Sequence, residues 1–374
     1  MDVEQIKNIK LSFIVTTART GSTLLSTMLN SHPDVVSTVE EPFAYNIYPI
    51  YKGVKNWTSE TINRFCDDFY LFSEGRLAIE FGSREDLVAI LEKYKEHLDV
   101  QLAIRLTYLC FFPQKNKETI TTVADKQLVM HECINKVATF YPESKFIILY
   151  RDPRDNAYTK WRLFDKRKQP LEKNYYKIAL DWNYVYNILQ KAKKKYSGRF
   201  TEVKYEDLVT EPEIVLKKIC TFLNIPYDPI MMEYDKLLSK ELETPFYQNM
   251  DESAKNFFLS IQGGLFVKPD KDKIGYWRKN MSEDEGNMIW TINRELAQKG
   301  GYVDHDGYKK TKTPFVNYFG LFALIKDRIK STIYYNSPIF VKRLIKKVKY
   351  GDNAYNPNRA PGRHSKKNFN DKGQ

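Results

Sequence analysis

Cysteine is scarce, with four in 374 residues. Cys66, Cys110, Cys133 and Cys220 lie far apart, so no pair has the spacing of a zinc knuckle or a redox couple. Scattered thiols fit a reducing compartment. Long apolar runs are also missing. No stretch of about 18 uncharged apolar residues occurs, which argues against a transmembrane helix. The first residues, MDVEQIKNIKLSFIV, hold no apolar core of signal-peptide length. These absences lead us to expect a cytoplasmic protein. The five histidines do not cluster, and HECIN lacks the second histidine of H-E-x-x-H. No metal is expected.

Excess charge is missing from most of the chain. The net charge is +12, but residues 320–374 hold 13 Lys and Arg against 3 Asp and Glu, leaving 46 against 44 before them. A nearly neutral body argues against a nucleic-acid partner. The basic segment 320–350 mixes Leu, Ile, Phe and Val with Lys and Arg, and Pro338 divides it. In its second piece Phe340, Leu344 and Val348 recur every four residues, with Lys342, Arg343, Lys346, Lys347 and Lys349 around them. A basic amphipathic helix reads as peripheral contact with a membrane surface. A terminal helix packed on the core and a basic arm gripping an anionic acceptor are the other readings. Residues 351–374 are polar and aromatic-poor, and disorder is expected there.

What is present points to an α/β fold. Residues 11–17 (LSFIVTT), 145–150 (KFIILY) and 199–205 (RFTEVKY) read as strands; a helical pattern follows the first and the third, and another, residues 129–144, precedes the second. Strands alternating with helices argue for a central parallel sheet flanked by helices. Residues 46–122 read as a mostly helical insertion on the acceptor side, within one domain spanning 8–319.

The stretch VTTARTGSTLLSTMLNSHPDVVSTVEEPF, residues 15–43, carries the chemistry. A strand, a glycine turn and a helix start make an anion-binding corner, because N–H groups and the helix dipole point outward there. Laid on G-x-x-x-x-G-K-[ST], however, Thr16 replaces the first glycine and Ser22 the lysine. Loss of that lysine, and the lack of a clear Walker-B aspartate, argue against a small-molecule P-loop kinase. Arg19 supplies a cation from the other side of the loop. A strand–turn–helix with hydroxyl caps and no ligand is the plain structural alternative.

RTGSTLL followed by HPDV and EEPF resembles the sulfotransferases that use 3′-phosphoadenosine-5′-phosphosulfate (PAPS). The likeness is closest to the carbohydrate and tyrosyl-protein branches and their bacterial relatives. FIILYRDPRDNAYTKW resembles the family's 3′-phosphate motif, with Arg151 as its arginine and Thr159 where serine is usual. RDPRD alone also reads as a salt-bridged turn. ADKQ places Lys126 sixteen residues before Pro142, a spacing seen in the tyrosyl-protein branch. VKPDKDKIGYWRKNMSEDE resembles the late basic loop, with Lys271 and Lys273 in reach of the 3′-phosphate. The resemblance runs over residues 12–285 with gaps. It implies a P-loop-like fold and PAPS as sulfuryl donor. The cofactor contacts it implies are Arg19, Thr20, Gly21, Ser22, Thr23, Arg151, Thr159, Lys271 and Lys273.

It further implies Arg19, Lys126 and Glu41 as catalytic residues. Glu41 is chosen over Glu40 because alternate residues of an extended segment face opposite ways and Pro42 favours extension at Glu41. The implied acceptor is a hydroxyl on a carbohydrate or glycolipid, with protein tyrosine as the alternative. His32 reads as a structural hydrogen-bonding residue. Trp161, Trp182 and Trp277 are candidates to stack on a ring.

Overall fold

The computed structural model describes residues 1–351 except 74–80, 82, 167–168, 170–172, 242, 244–247, 249–251, 253–254, 256–264, 267, 306 and 310–316. The disorder expected after 351, and much of the region before the late basic loop, lie outside the described residues.

Five parallel strands form one sheet in the order β2-β3-β1-β4-β5. They are β1 (Lys10–Val15), β2 (Val35–Val39), β3 (Thr122–Gln127), β4 (Lys145–Tyr150) and β5 (Phe200–Lys204). Alternation along the strands divides the core between two faces. Phe13 and Val15 of β1 join Phe146, Ile148 and Tyr150 of β4 on one face. Ile14, Ile147 and Leu149 point to the other, against Leu24, Leu25 and Met28 of helix Ser22–Asn30. Both faces are covered, which explains why these strands read as continuous apolar runs.

β4 and β5 fall within the expected strands, and β1 overlaps its own but starts one residue earlier and ends two earlier. β2 and β3 are additional. β3, TVADKQ, is fully buried despite four polar side chains. Helix Pro212–Leu223 begins with its proline at the first turn, as expected. The described part of residues 46–122 is mainly helical and includes Ser59–Phe72, Arg84–Lys93 and Val100–Leu109.

The basic segment forms two helices, Tyr318–Asn336 and Ile339–Tyr350. Its charges do not simply face solvent. Lys342 and Lys346 are buried, and Arg343 Nε donates to Asp68 Oδ1 at 2.8 Å while Nη2 pairs with Asp68 Oδ2. Asp68 is itself buried and also accepts from the Tyr51 hydroxyl at 2.8 Å.

The sheet order reverses direction about β1: β2 and β3 lie on one side, β4 and β5 on the other. In open α/β sheets such a switch opens a crevice at the carboxyl ends of the strands, where ligands bind. The residues after β1 and β4 meet there.

Candidate active site

The turn after β1 is tied to β4. Thr16 Oγ1 donates to the Leu149 carbonyl at 2.7 Å, and the Tyr186 hydroxyl reaches the same oxygen at 2.7 Å. Thr20 Oγ1 lies 2.8 Å from Thr16 Oγ1 and donates to the Thr17 carbonyl at 3.0 Å. Its hydroxyl thus braces the turn and does not cap the helix. The N-cap is Gly21, in the left-handed region at φ +83°, and no side chain caps the helix. This speaks against the hydroxyl-capped alternative and leaves the first-turn amides, including those of Ser22 and Thr23, to an outside acceptor. Glycine is required at this position twice over. A Cβ would meet the Tyr205 ring at 2.3 Å, and the positive φ disfavours any side chain.

Arg151, just past β4, joins three segments. Nη1 donates to the Arg19 carbonyl and Nη2 to the Lys273 carbonyl, both at 3.2 Å. Its guanidinium lies 4.4 Å from the Tyr205 ring centroid, and Trp182 Nε1 donates to its carbonyl at 3.3 Å. The phosphate loop, the β4 motif and the late basic loop therefore converge on one buried cation. Lys271 and Lys273 form a short turn with exposed side chains. Thr159 is nearby in sequence but its hydroxyl donates to the Asp155 carbonyl at 2.8 Å, within its own helix.

The carboxylates after β2 behave differently from one another. Glu40 Oε1 accepts from Lys126 Nζ at 2.7 Å, and Glu40 N–H donates to the Lys126 carbonyl at 2.7 Å. Glu41 turns into the protein and is 2% exposed. Its N–H donates to Asp125 Oδ1 at 3.3 Å, and its carbonyl accepts from Gln127 Nε2 at 2.8 Å. The sequence expectation made Glu41 the catalytic carboxylate. It assumed an extended segment, but Glu40 has φ +63°, which breaks the alternation. Arg19 also has positive φ, at +67°. Such backbone costs roughly 1–2 kcal/mol per residue, and strained backbone of this kind clusters at functional sites.

Several supporting residues escaped the sequence reading. Asp155 binds the late loop through Gly275 N–H at 2.7 Å and Trp277 N–H at 2.9 Å, and burial raises its pKa. Asn156 Nδ2 donates to the Ala18 carbonyl at 2.8 Å. Lys160 donates to the Thr17 hydroxyl and reaches Asp181 Oδ2 at 3.2 Å. Burial lowers its pKa against the pull of Asp181. Burial also pushes the Asp181 carboxyl up, but Lys160 and Arg328 outweigh this and hold it below the usual range. The only sequence signal for Asp155, Asn156 and Lys160 is that they share one helix with Thr159, starting at Pro153.

RDPRD is a salt-bridged turn as well: Arg154 grips Asp152 at 2.5 Å and lies between the rings of Trp277 and Trp290. His32 is structural, with Nε2 2.9 Å from the Pro226 carbonyl and Nδ1 accepting from Asp34 N–H at 3.1 Å. Trp182 is buried in the core and Trp277 against Arg154. Trp161 stacks on Tyr175 with centroids 5.7 Å apart.

Residues 12–229, more than half of the chain, match the model of the sulfotransferase family, and the chain belongs to that family. It is similar to protein-tyrosine sulfotransferase 1 of Danio rerio, 23% identical over 240 residues, 63% of this chain and 58% of that protein. It is also similar to protein-tyrosine sulfotransferase A of Caenorhabditis elegans, 24% identical over 273 residues, 68% of this chain and 60% of that protein. The chain thus spans about 60% of the length of these two relatives. Among solved structures, the sulfotransferase domain of the Synechococcus PCC 7002 olefin synthase has a TM-score of 0.49 and 18% identity, covering 79% of this chain and 96% of that domain.

Proposed function

We propose that this chain is a PAPS-dependent O-sulfotransferase. The observation that carries the reading is Arg151, a buried cation whose hydrogen bonds go to the carbonyls of Arg19 and Lys273. These bonds, with Asp155 in its field, set its positive charge between the phosphate loop and the late basic loop, where an anion would be held. The uncapped helix start behind Gly21 fits a second anionic group. These features fit a nucleotide with phosphates at two ends.

Bound PAPS supplies the sulfuryl group, with charge spreading over its oxygens and onto the leaving phosphate in an in-line displacement. The chain supplies the rest. The amides of residues 20–23 and Arg19 stabilise charge on the leaving side. Glu40, rather than Glu41, removes the acceptor's proton. Lys126 Nζ lies 2.7 Å from Glu40 Oε1, and the residue sits beside β1 in register with Ile14. As Glu40 takes up a proton, its hold on Lys126 weakens, freeing the ammonium to stabilise developing charge. Thr159, Lys271 and Lys273 are assigned to the 3′-phosphate region by the motif alone.

The acceptor is a hydroxyl. The names of the curated relatives favour a tyrosine phenol, and the Glu-Pro sequence of the carbohydrate branch favours a sugar or glycolipid hydroxyl. Incubation with labelled PAPS against tyrosine peptides, glycans and glycolipids separates these readings by which product gains label. Adenosine 3′,5′-bisphosphate should bind and ATP should compete poorly. The reverse order would favour a kinase and overturn the proposal.

A further inference from the structure

The two C-terminal helices are amphipathic in an inverted way. Their inward side is ionic. Arg328 Nη1 meets Glu132 at 2.9 Å, and Nη2 meets Asp181. Asp327 accepts from Lys177 Nζ at 2.7 Å. Arg343 holds the buried Asp68. The outward side is apolar. Phe322, Ile325, Ile329 and Ile333 recur at helical spacing along Tyr318–Asn336 with 48–66% exposure, and Phe340, Leu344 and Val348 along Ile339–Tyr350 with 59–79%. Soluble proteins rarely leave so many large apolar side chains together in water, and such patches mark interaction surfaces.

Charge decides the occupant. Lys326, Lys330, Lys347 and Lys349 are exposed beside these stripes. The acid in these helices, Asp327, is turned to Lys177. Two copies meeting face to face would bring like charges together, whereas an anionic lipid surface matches them. The longer helix has 19 residues, about 28 Å at 1.5 Å per residue. No helix among the described residues is long and apolar enough to cross a membrane. A helix of this kind lies in the interface, apolar face down, with lysines reaching to the headgroups. We propose that the helices Tyr318–Asn336 and Ile339–Tyr350 form a peripheral docking face for anionic membranes, held in its outward orientation by the ionic seat beneath. The proposal stands apart from the sulfotransferase reading and does not depend on it.

The test is co-sedimentation of the full chain with phosphatidylcholine vesicles containing roughly one third phosphatidylserine, compared with phosphatidylcholine alone. The chain should pellet with the anionic vesicles and far less with the neutral ones. Phe322→Ser with Ile329→Ser, and separately Phe340→Ser with Leu344→Ser, should each weaken pelleting by on the order of tenfold or more, since each pair removes apolar area from the interface. Their thermal melting should be unchanged, because these side chains face outward. Lys326→Ala with Lys330→Ala should weaken anionic binding by on the order of tenfold and leave the weak neutral binding as it was. The proposal is overturned if the full chain stays in the supernatant, if neutral vesicles bind equally well, or if the serine variants pellet like the parent. It is overturned too if the chain forms a dimer that the serine variants dissolve while vesicles bind neither form.

Discussion

Arginine is used in opposite ways in two settings, half-buried beneath the C-terminal helices and buried at the ends of β1 and β4. Beneath the C-terminal helices, Arg343 and Arg328 meet carboxylates: Asp68, Glu132 and Asp181. At the ends of β1 and β4, Arg151 meets carbonyls and the face of Tyr205. Carboxylate partners neutralise a cation, and removing one member of a buried pair leaves the other uncompensated. Carbonyl partners hold a guanidinium in place and leave its charge to act on a ligand. The first arrangement belongs to architecture, and the second is the one we propose for binding. Lys160 stands between them, touching the Thr17 hydroxyl of the phosphate loop on one side and Asp181, the partner of Arg328, on the other.

The largest effect is expected where charge must move during the reaction. Glu40→Gln keeps the shape and removes the proposed base. Turnover should fall by about 10²–10⁴-fold, with affinity for adenosine 3′,5′-bisphosphate retained. Glu41→Gln should cost turnover much less, since Glu41 faces inward. A rate assay on both variants decides this, and the opposite ranking would return the role to Glu41.

Exchanging the two kinds of arginine gives a crossed pair of results. Arg151→Ala should weaken adenosine 3′,5′-bisphosphate binding by about ten- to a hundredfold, the loss of one or two charged hydrogen bonds. Its melting temperature should fall modestly, because the hydrogen bonds to the Arg19 and Lys273 carbonyls are lost and the buried Asp155 loses the attraction of the guanidinium. Arg343→Ala should leave nucleotide affinity alone and cost about 1–3 kcal/mol of stability, because Asp68 then keeps only part of its bonding. Calorimetric titration and thermal melting read the two effects. If both variants lost stability and neither lost affinity, the distinction between the two regions would collapse.

How much of this was legible in the sequence depended on how each residue is satisfied. β1 and β4 announce themselves as apolar runs because both their faces are covered. β3 does not, because Asp125, Lys126 and Gln127 look like loop residues until their partners Tyr108, Glu40 and Asp125 are in place. β2, only five residues long, has its middle Ser37 hydroxyl bonded to Ser26 and to the Ala124 carbonyl. Such polar strands depend on contacts from distant segments, which local hydropathy does not register. The same holds for the site. The phosphate loop and Arg151 sit in compact motifs and could be read. Asp155, which clamps the late loop from more than a hundred residues away, could not. The proposal of Glu40 over Glu41 rests on one backbone angle that alternation does not anticipate. The direction of the C-terminal charges depended on Asp68, Asp181 and Glu132, all remote in sequence.

The smallest effect concerns the residue that organises the Glu41 turn. Asp125 is buried among the Tyr108 hydroxyl, Gln127 Nε2 and Glu41 N–H. Burial pushes its pKa up to about 7, although these hydrogen bonds oppose the rise. Its unfolded pKa lies near 3.8. Between those values the folded chain binds more protons than the unfolded one, so this group's contribution to stability is full below about 4 and is lost as pH rises through about 7. The sign is opposite to that of an acid held by a cation. Asp125→Asn removes the titration while keeping a side-chain oxygen for Glu41 N–H. The difference in melting temperature, parent minus variant, should therefore drift downward between about pH 4 and about pH 7, the span set by the two pKa values. A flat difference would mean that Asp125 stays ionised in the fold, with its hydrogen bonds outweighing its burial.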